Sequence, residues 1–332
     1  MEASVSKILR RHFSRIALAC FVFLAAAIVA QFAAALVLAV VAPALLAKSW
    51  FLTGMSFVCL YVVGFPFFIL VLPKAPPELP EKERLGGVGE FFICLLMAMG
   101  ILYPLNLLSS WLTQVLGGLL GGSGTSLLDA YLGNMDLWAV ALFAVILSPI
   151  MEELVFRKLI MDRIRTIDRP AAILFSALVF GLFHGNLGQF FYAFGVGLLF
   201  GAIYARTGRL RYTILLHVLV NAIGSLVPML LLGDVDEAGL RELLSRGTEA
   251  LPELLENLPG LLSLGTYYLV ILCCTVAGII LLIRRLPRLA RRGPEDRLSS
   301  PGRAFLTLFV NGGFIALLLA SALEMVLSLL IT

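Results

Sequence analysis

Two adjacent carboxylates, Glu152 and Glu153, follow directly on the apolar stretch Leu137 to Ile150 (LWAVALFAVILSPI), where a membrane helix would carry no charge. Two histidines also sit in apolar surroundings, His184 in FGLFHG and His217 in LLHVLVNAIG. An ionisable group at membrane depth is costly, so its default reading is a functional site facing the interior of a helix bundle. Glu153 and Arg157 are four residues apart and share a helix face, with the acidic residue N-terminal, the better orientation for such a pair. Arg157 is therefore expected to neutralise Glu153. Glu152 is turned about 100° away by the helical period and keeps a carboxylate with no local partner, free for proton transfer. His217 and Asn221, again four apart, share a second helix face.

A glutamate, two histidines and an asparagine meeting in a semi-polar cavity suit hydrolysis. Glu152 can deprotonate a water, and His184 can hold the same water. Asn221 and His217 can donate hydrogen bonds to the oxyanion of a tetrahedral intermediate. The same set could hold one divalent metal such as zinc through Glu152, His184 and His217. That ligand set is thin, with no HExxH and only two histidines at hand, which favours a metal-free reaction. The third histidine, His12, lies in the basic tail and reads as a surface residue. Two other classes stay open. Intramembrane Glu and His also serve proton relays, so an ion-coupled transporter is one alternative, although the chain lacks the paired halves and matched broken helices of many transporters. A non-catalytic immunity factor or scaffold of the same fold is the other.

The elements that position these groups read as an all-α, polytopic transmembrane bundle. The 332 residues are 60% hydrophobic and 14% charged, far from the about 25% charged of a soluble domain. Nine spans are expected, at 16–47, 50–72, 91–116, 137–156, 170–185, 188–205, 212–232, 266–283 and 305–331. The first apolar run, Ile16 to Ala47, exceeds both a signal-peptide core and one perpendicular span, so an uncleaved anchor with a tilt or break is expected. With the N-terminus in the cytoplasm, 22 of the 25 Lys and Arg fall on the cytoplasmic side, as the positive-inside rule requires. The basic residues are confined to loops and carry no nucleic-acid signal. The five cysteines lie in apolar runs without a CxxC pair or a Cys/His cluster and read as small hydrophobic residues. The loop 73–90 reads as a flexible cytoplasmic linker, 117–124 as a glycine-rich outer connector, and 234–256 as an outer amphipathic helix.

Depth brings the polar groups together. Glu152 stands about 15 residues before the turn at Ile167–Asp168 and His184 about 17 after it, so in an antiparallel pair both lie roughly 23–25 Å from that turn. His217 and Asn221 lie about 14 and 20 Å beyond the turn near Thr207–Arg209. The charged end of the fourth span (RKLIMDRIR) is expected to protrude into the cytosol, which sets the cluster nearer that face. Glu324 and Asn311, also polar at depth, read as bundle contacts.

The ordered trio EExxxR (Glu152, Glu153, Arg157), FxxxH (Phe180, His184) and HxxxN (His217, Asn221) resembles the type II CAAX prenyl endopeptidase and bacteriocin-processing (CPBP, or Abi) family. Each motif alone is weak; the order and spacing together are specific. The resemblance covers about residues 135–235, a catalytic core between an N-terminal region of three spans (1–134) and a C-terminal region holding the amphipathic segment and two spans (236–332). It implies an intramembrane endopeptidase. Glu152 and His184 would activate water, and His217 and Asn221 would stabilise the oxyanion, with Glu153, Arg157 and Phe180 in support. The family is labelled both as a metalloprotease and as a metal-free glutamate peptidase. The substrate implied is a membrane-embedded or lipidated peptide or protein, in a membrane such as the bacterial inner membrane.

Overall fold

Apolar runs of this length must satisfy their backbone hydrogen bonds within themselves, and every regular element among the described residues is helical. The computed structural model describes residues 2–76, 83–121, 136–232, 245, 246, 255, 258–289 and 301–331. The helices are α1 (Glu2–Val41), α2 (Ser49–Val71), α3 (Val88–Leu120), α4 (Leu137–Arg163), α5 (Arg169–Leu182), α6 (Leu187–Thr207), α7 (Leu210–Leu231), α8 (Leu258–Leu289), α9 (Pro301–Phe309) and α10 (Gly312–Ile331). Among the described residues, eight helices are long and apolar enough to cross a membrane by length and composition. The ninth expected span, 170–185, is instead the 14-residue α5.

The ends of these helices follow from local chemistry. α1 stops where Pro43 cannot continue it: Ala42 swings to φ −152° and ψ 62°, and a short helix Pro43–Leu46 follows. The long first apolar run is thus broken, as expected. Asp168 caps α5 by accepting from Ala171 N at 2.8 Å, and Pro170 occupies the first turn, where no N–H is missed. Asn186 caps α6 by accepting from Gln189 N at 2.9 Å, and Gly208 ends that helix at φ +60°, a conformation that suits glycine. Asn311 caps α10 by accepting from Phe314 N at 2.9 Å, and its Nδ2 donates to the Leu308 carbonyl of α9 at 2.9 Å, so it joins these two helices.

At the centre, α5 and α6 form an antiparallel pair. α6 packs on α3, α3 on α8, and α1 bridges α2 and α10. One apolar core joins α1, α2, α5 and the end of α4, around Phe23, Phe68, Phe156 and Phe175; a second joins α3, α6 and α7, around Met97, Phe200 and Leu216. The site lies between them, where α4 to α7 meet.

Three expectations are corrected. The end of α4 does not protrude. Asp162 is 2% exposed and accepts from Lys158 Nζ at 2.6 Å, Arg165 Nε at 2.9 Å and the Tyr204 hydroxyl at 3.1 Å, so the charges neutralise one another and fold inward. His12 is not a surface residue: it is half-buried, and its Nε2 donates to the Arg163 carbonyl at 2.9 Å. The described parts of the loop 73–90 are tied down, because Arg209 Nε donates to the Glu83 carbonyl at 3.0 Å, Arg163 donates to the Pro73 carbonyl, and Leu85 is buried. The end of the expected connector 117–124, and all but three residues of the expected helix 234–256, lie outside the described residues.

Candidate active site

Sequence neighbours Glu152 and Glu153 meet different surroundings. The Glu153 side chain is fully buried, with Oε2 3.1 Å from Arg157 Nε and Oε1 3.1 Å from His217 Nδ1. Arg157 is also fully buried. It donates from one terminal nitrogen to Ser176 Oγ at 2.8 Å and lies 5.2 Å from the centre of the Phe180 ring. Ser176 in turn donates to the Phe156 carbonyl at 2.8 Å, clamping α4 to α5. The Glu152 side chain remains 19% exposed and faces His217 Nε2 across 3.6 Å. The sequence reading assigned Glu153 to Arg157 alone; its second oxygen also orients a histidine.

A cavity of about 250 Å³ collects the polar groups. Glu152, His184, His217 and Asn221 all line it, with Ser148, Gln189 and Tyr192 as further polar wall and Leu102, Ala144, Phe180, Ala193, Val196 and Val220 as apolar wall. That volume holds about eight waters at about 30 Å³ each, room for a water beside a peptide group. The Phe180 ring stands edge-on to both imidazoles, 4.9 Å from His184 and 5.9 Å from His217.

Hydrogen bonding assigns the tautomers. His184 Nδ1 lies 2.8 Å from the Phe180 carbonyl, an acceptor only, so Nδ1 carries the hydrogen and the neutral ring keeps a lone pair at Nε2. His217 Nδ1 likewise donates to the Glu153 carboxylate, which turns Nε2 toward Glu152. Asn221 donates one Nδ2 hydrogen to the Ala144 carbonyl at 2.8 Å and retains one more.

The backbone here departs from ideal helix. π-helical segments, Val140–Leu147 and Leu154–Ile160, flank the Ser148–Glu153 stretch of α4, and a third, Ala222–Leu226, begins directly after Asn221. Such bulges are frequent at functional sites. α5 is also short: 14 residues reach about 21 Å against a hydrocarbon core of about 30 Å. With Asp168 and Arg169 at its charged end, the turn carrying His184 ends up at membrane depth. Non-helical backbone is tolerated there only when it is enclosed by protein or lines a watery cavity. Gly185 takes φ +62° in that turn, and Asn186 Nδ2 satisfies the His184 carbonyl at 2.8 Å.

As donors for a metal, Glu152, His184 and His217 offer a carboxylate and two Nε2 lone pairs on one cavity. Among the described residues, however, no three His, Cys, Asp or Glu side chains come together as a ligand set. The side chains as placed do not fit a metal centre.

The fold and site define a class: a multi-pass helical membrane protein whose apolar helices enclose a Glu–His–His–Asn cavity. Within it, residues 134–223, which span α4 to α7 and all four of these residues, match the family described as type II CAAX prenyl endopeptidase Rce1-like. The resemblance read from the motifs is thereby borne out over this segment. The membrane-embedded CAAX protease MroQ of Staphylococcus aureus (strain USA300) is 31% identical over 117 residues, 33% of this chain and 47% of that protein. A candidate membrane peptidase, YdiL of Bacillus subtilis (strain 168), is 34% identical over 77 residues, 23% of this chain and 32% of that protein. The chain thus spans about half and about a third of the lengths of these relatives. No solved structure matches it.

Proposed function

We propose that this protein is an intramembrane endopeptidase that hydrolyses a peptide bond in a membrane-associated substrate, with a water activated by Glu152. The observation that carries the reading is the division of labour between the two glutamates. Glu153 is consumed by Arg157 and His217, whereas Glu152 opens onto a polar cavity within the bundle.

In this mechanism a water donates one hydrogen to Glu152 and the other to His184 Nε2, which aims its lone pair at the substrate carbonyl carbon. The water oxygen bonds to that carbon as its proton passes to Glu152, and the carbonyl electron pair moves onto oxygen. Asn221 donates its remaining Nδ2 hydrogen to the oxyanion. His217 can donate from Nε2 only when its ring carries two protons. Collapse reforms the carbonyl and expels the amine nitrogen, which takes the proton held by Glu152. The charge distribution along the chain supports a cytoplasmic N-terminus and a cavity reached from the cytoplasmic half of the membrane. A bacterial inner membrane suits this arrangement, and a lipidated or membrane-spanning peptide is the matching substrate class.

The test is cleavage of a membrane-tethered reporter by the reconstituted full chain. Glu152→Gln and His184→Ala should each lower turnover by about 10²-fold or more, the usual contribution of general acid–base groups. Full turnover in Glu152→Gln would overturn the proposal.

A further inference from the structure

The oxyanion is thinly provided for by the residues above. Asn221 has one donor left after its bond to Ala144, and His217 Nε2 faces the Glu152 carboxylate across 3.6 Å. Oxyanion sites are built from pre-organised donors aimed where charge develops. A further donor should therefore lie on the same cavity.

A chain of side-chain hydrogen bonds fixes one there. Asn186 Oδ1 accepts from Gln189 N at 2.9 Å as the cap of α6, so the orientation of its amide is set. Its Nδ2 hydrogens then go to the His184 carbonyl at 2.8 Å and to Gln189 Oε1 at 2.7 Å. Asn186 is fully used. Because Gln189 Oε1 must face Asn186, Gln189 Nε2 must face the other way. One of its hydrogens goes to the Tyr192 hydroxyl at 2.9 Å, and the second has no partner among the described residues. Gln189 lines the cavity with Glu152, His184 and Asn221. The same turn that places His184 thus orients an amide donor toward the site, without any charge to desolvate.

We propose that Gln189 is a further catalytic residue, whose Nε2 donates a hydrogen bond to the oxyanion of the tetrahedral intermediate. This rests on the hydrolytic reading above and adds to it a donor from α6.

The decisive variant is Gln189→Glu. Its Oε1 still accepts from Asn186 and preserves the cap, while an acceptor replaces the donor at Nε2. In the reconstituted cleavage assay, kcat should fall by about 10²-fold or more, with KM little changed, because the lost bond forms only in the transition state. Gln189→Ala should show the same pattern with a smaller loss, since it removes the donor without adding repulsion. Wild-type kcat in Gln189→Glu, or a loss confined to KM, overturns the proposal. A fall in kcat that tracks loss of folded protein in both variants, by unfolding in detergent, overturns it too, because it assigns Gln189 to the turn alone. Failure here is separable from failure of the hydrolytic reading: wild type cleaves and Glu152→Gln does not in the first case, whereas Glu152→Gln retains activity in the second.

Discussion

At Glu153 both carboxylate oxygens are engaged, one by Arg157 and the other by His217, each at 3.1 Å. Removing one partner of a buried ion pair leaves the other charge stranded, at a cost of about 3–5 kcal/mol. Glu153→Gln should therefore lower the unfolding midpoint in detergent markedly, whereas Glu152→Gln, one residue away, should leave it near wild type. Equal midpoints for the two variants would contradict the division of labour. The residue types and spacing of Glu152, Glu153, Arg157, His184, His217 and Asn221 were legible because charge and imidazole stand out against apolar helices. Ser176 and Gln189 were not, since a single neutral polar residue in a membrane helix has no periodic signal. The link from Glu153 to His217 was hidden for another reason: it joins α4 to α7, and spacing along one helix shows only partners on that helix.

The order of the apolar helices could be read from hydropathy, and a tilt or break in the first run from its length, but not that α5 would be too short to span. The π-helical segments around Ser148–Glu153 could not, because a reading that assumes 3.6 residues per turn has no means of locating a wider one. The buried end of α4 was also missed, because its charges looked solvent-seeking while Asp162 in fact neutralises its neighbours. Two glycines separate the jobs of positioning and packing. Gly185 holds φ +62° beside His184, and a Cβ there would meet Glu324 Oε2 at 2.9 Å. Gly278 sits at the α3–α8 crossing, where a Cβ would stand 1.9 Å from the Leu96 carbonyl oxygen. Gly185→Ala should strain the turn by about 1–2 kcal/mol and lower turnover of the folded protein. Gly278→Ala should destabilise by about 1–3 kcal/mol with turnover per folded molecule unchanged. Unfolding in detergent, paired with cleavage rates, distinguishes the two effects.

Across the whole molecule, the segment matching the peptidase family spans α4 to α7, yet the helices outside it also border the site. Leu102 of α3 forms part of the cavity wall, and Glu324 of α10 lies against Gly185. The flanking helices therefore help to enclose the cavity between α4 and α7. The distribution of Lys and Arg makes a global prediction. A reporter that is active only in the cytoplasm should give signal when fused after Gly208 and none when fused after Gly121. The reverse pattern would invert the orientation and place the cavity entrance on the other face.

The central claim is that Glu152 and His184 act on one water in one cavity, and a double-mutant cycle on cleavage tests it most directly. Residues that work as a unit lose function together, so the second substitution removes little beyond the first. The account predicts that Glu152→Gln, His184→Ala and the double variant all lower kcat/KM to a similar floor. Independent, multiplying losses, or a Glu152→Gln enzyme as active as wild type, would contradict it.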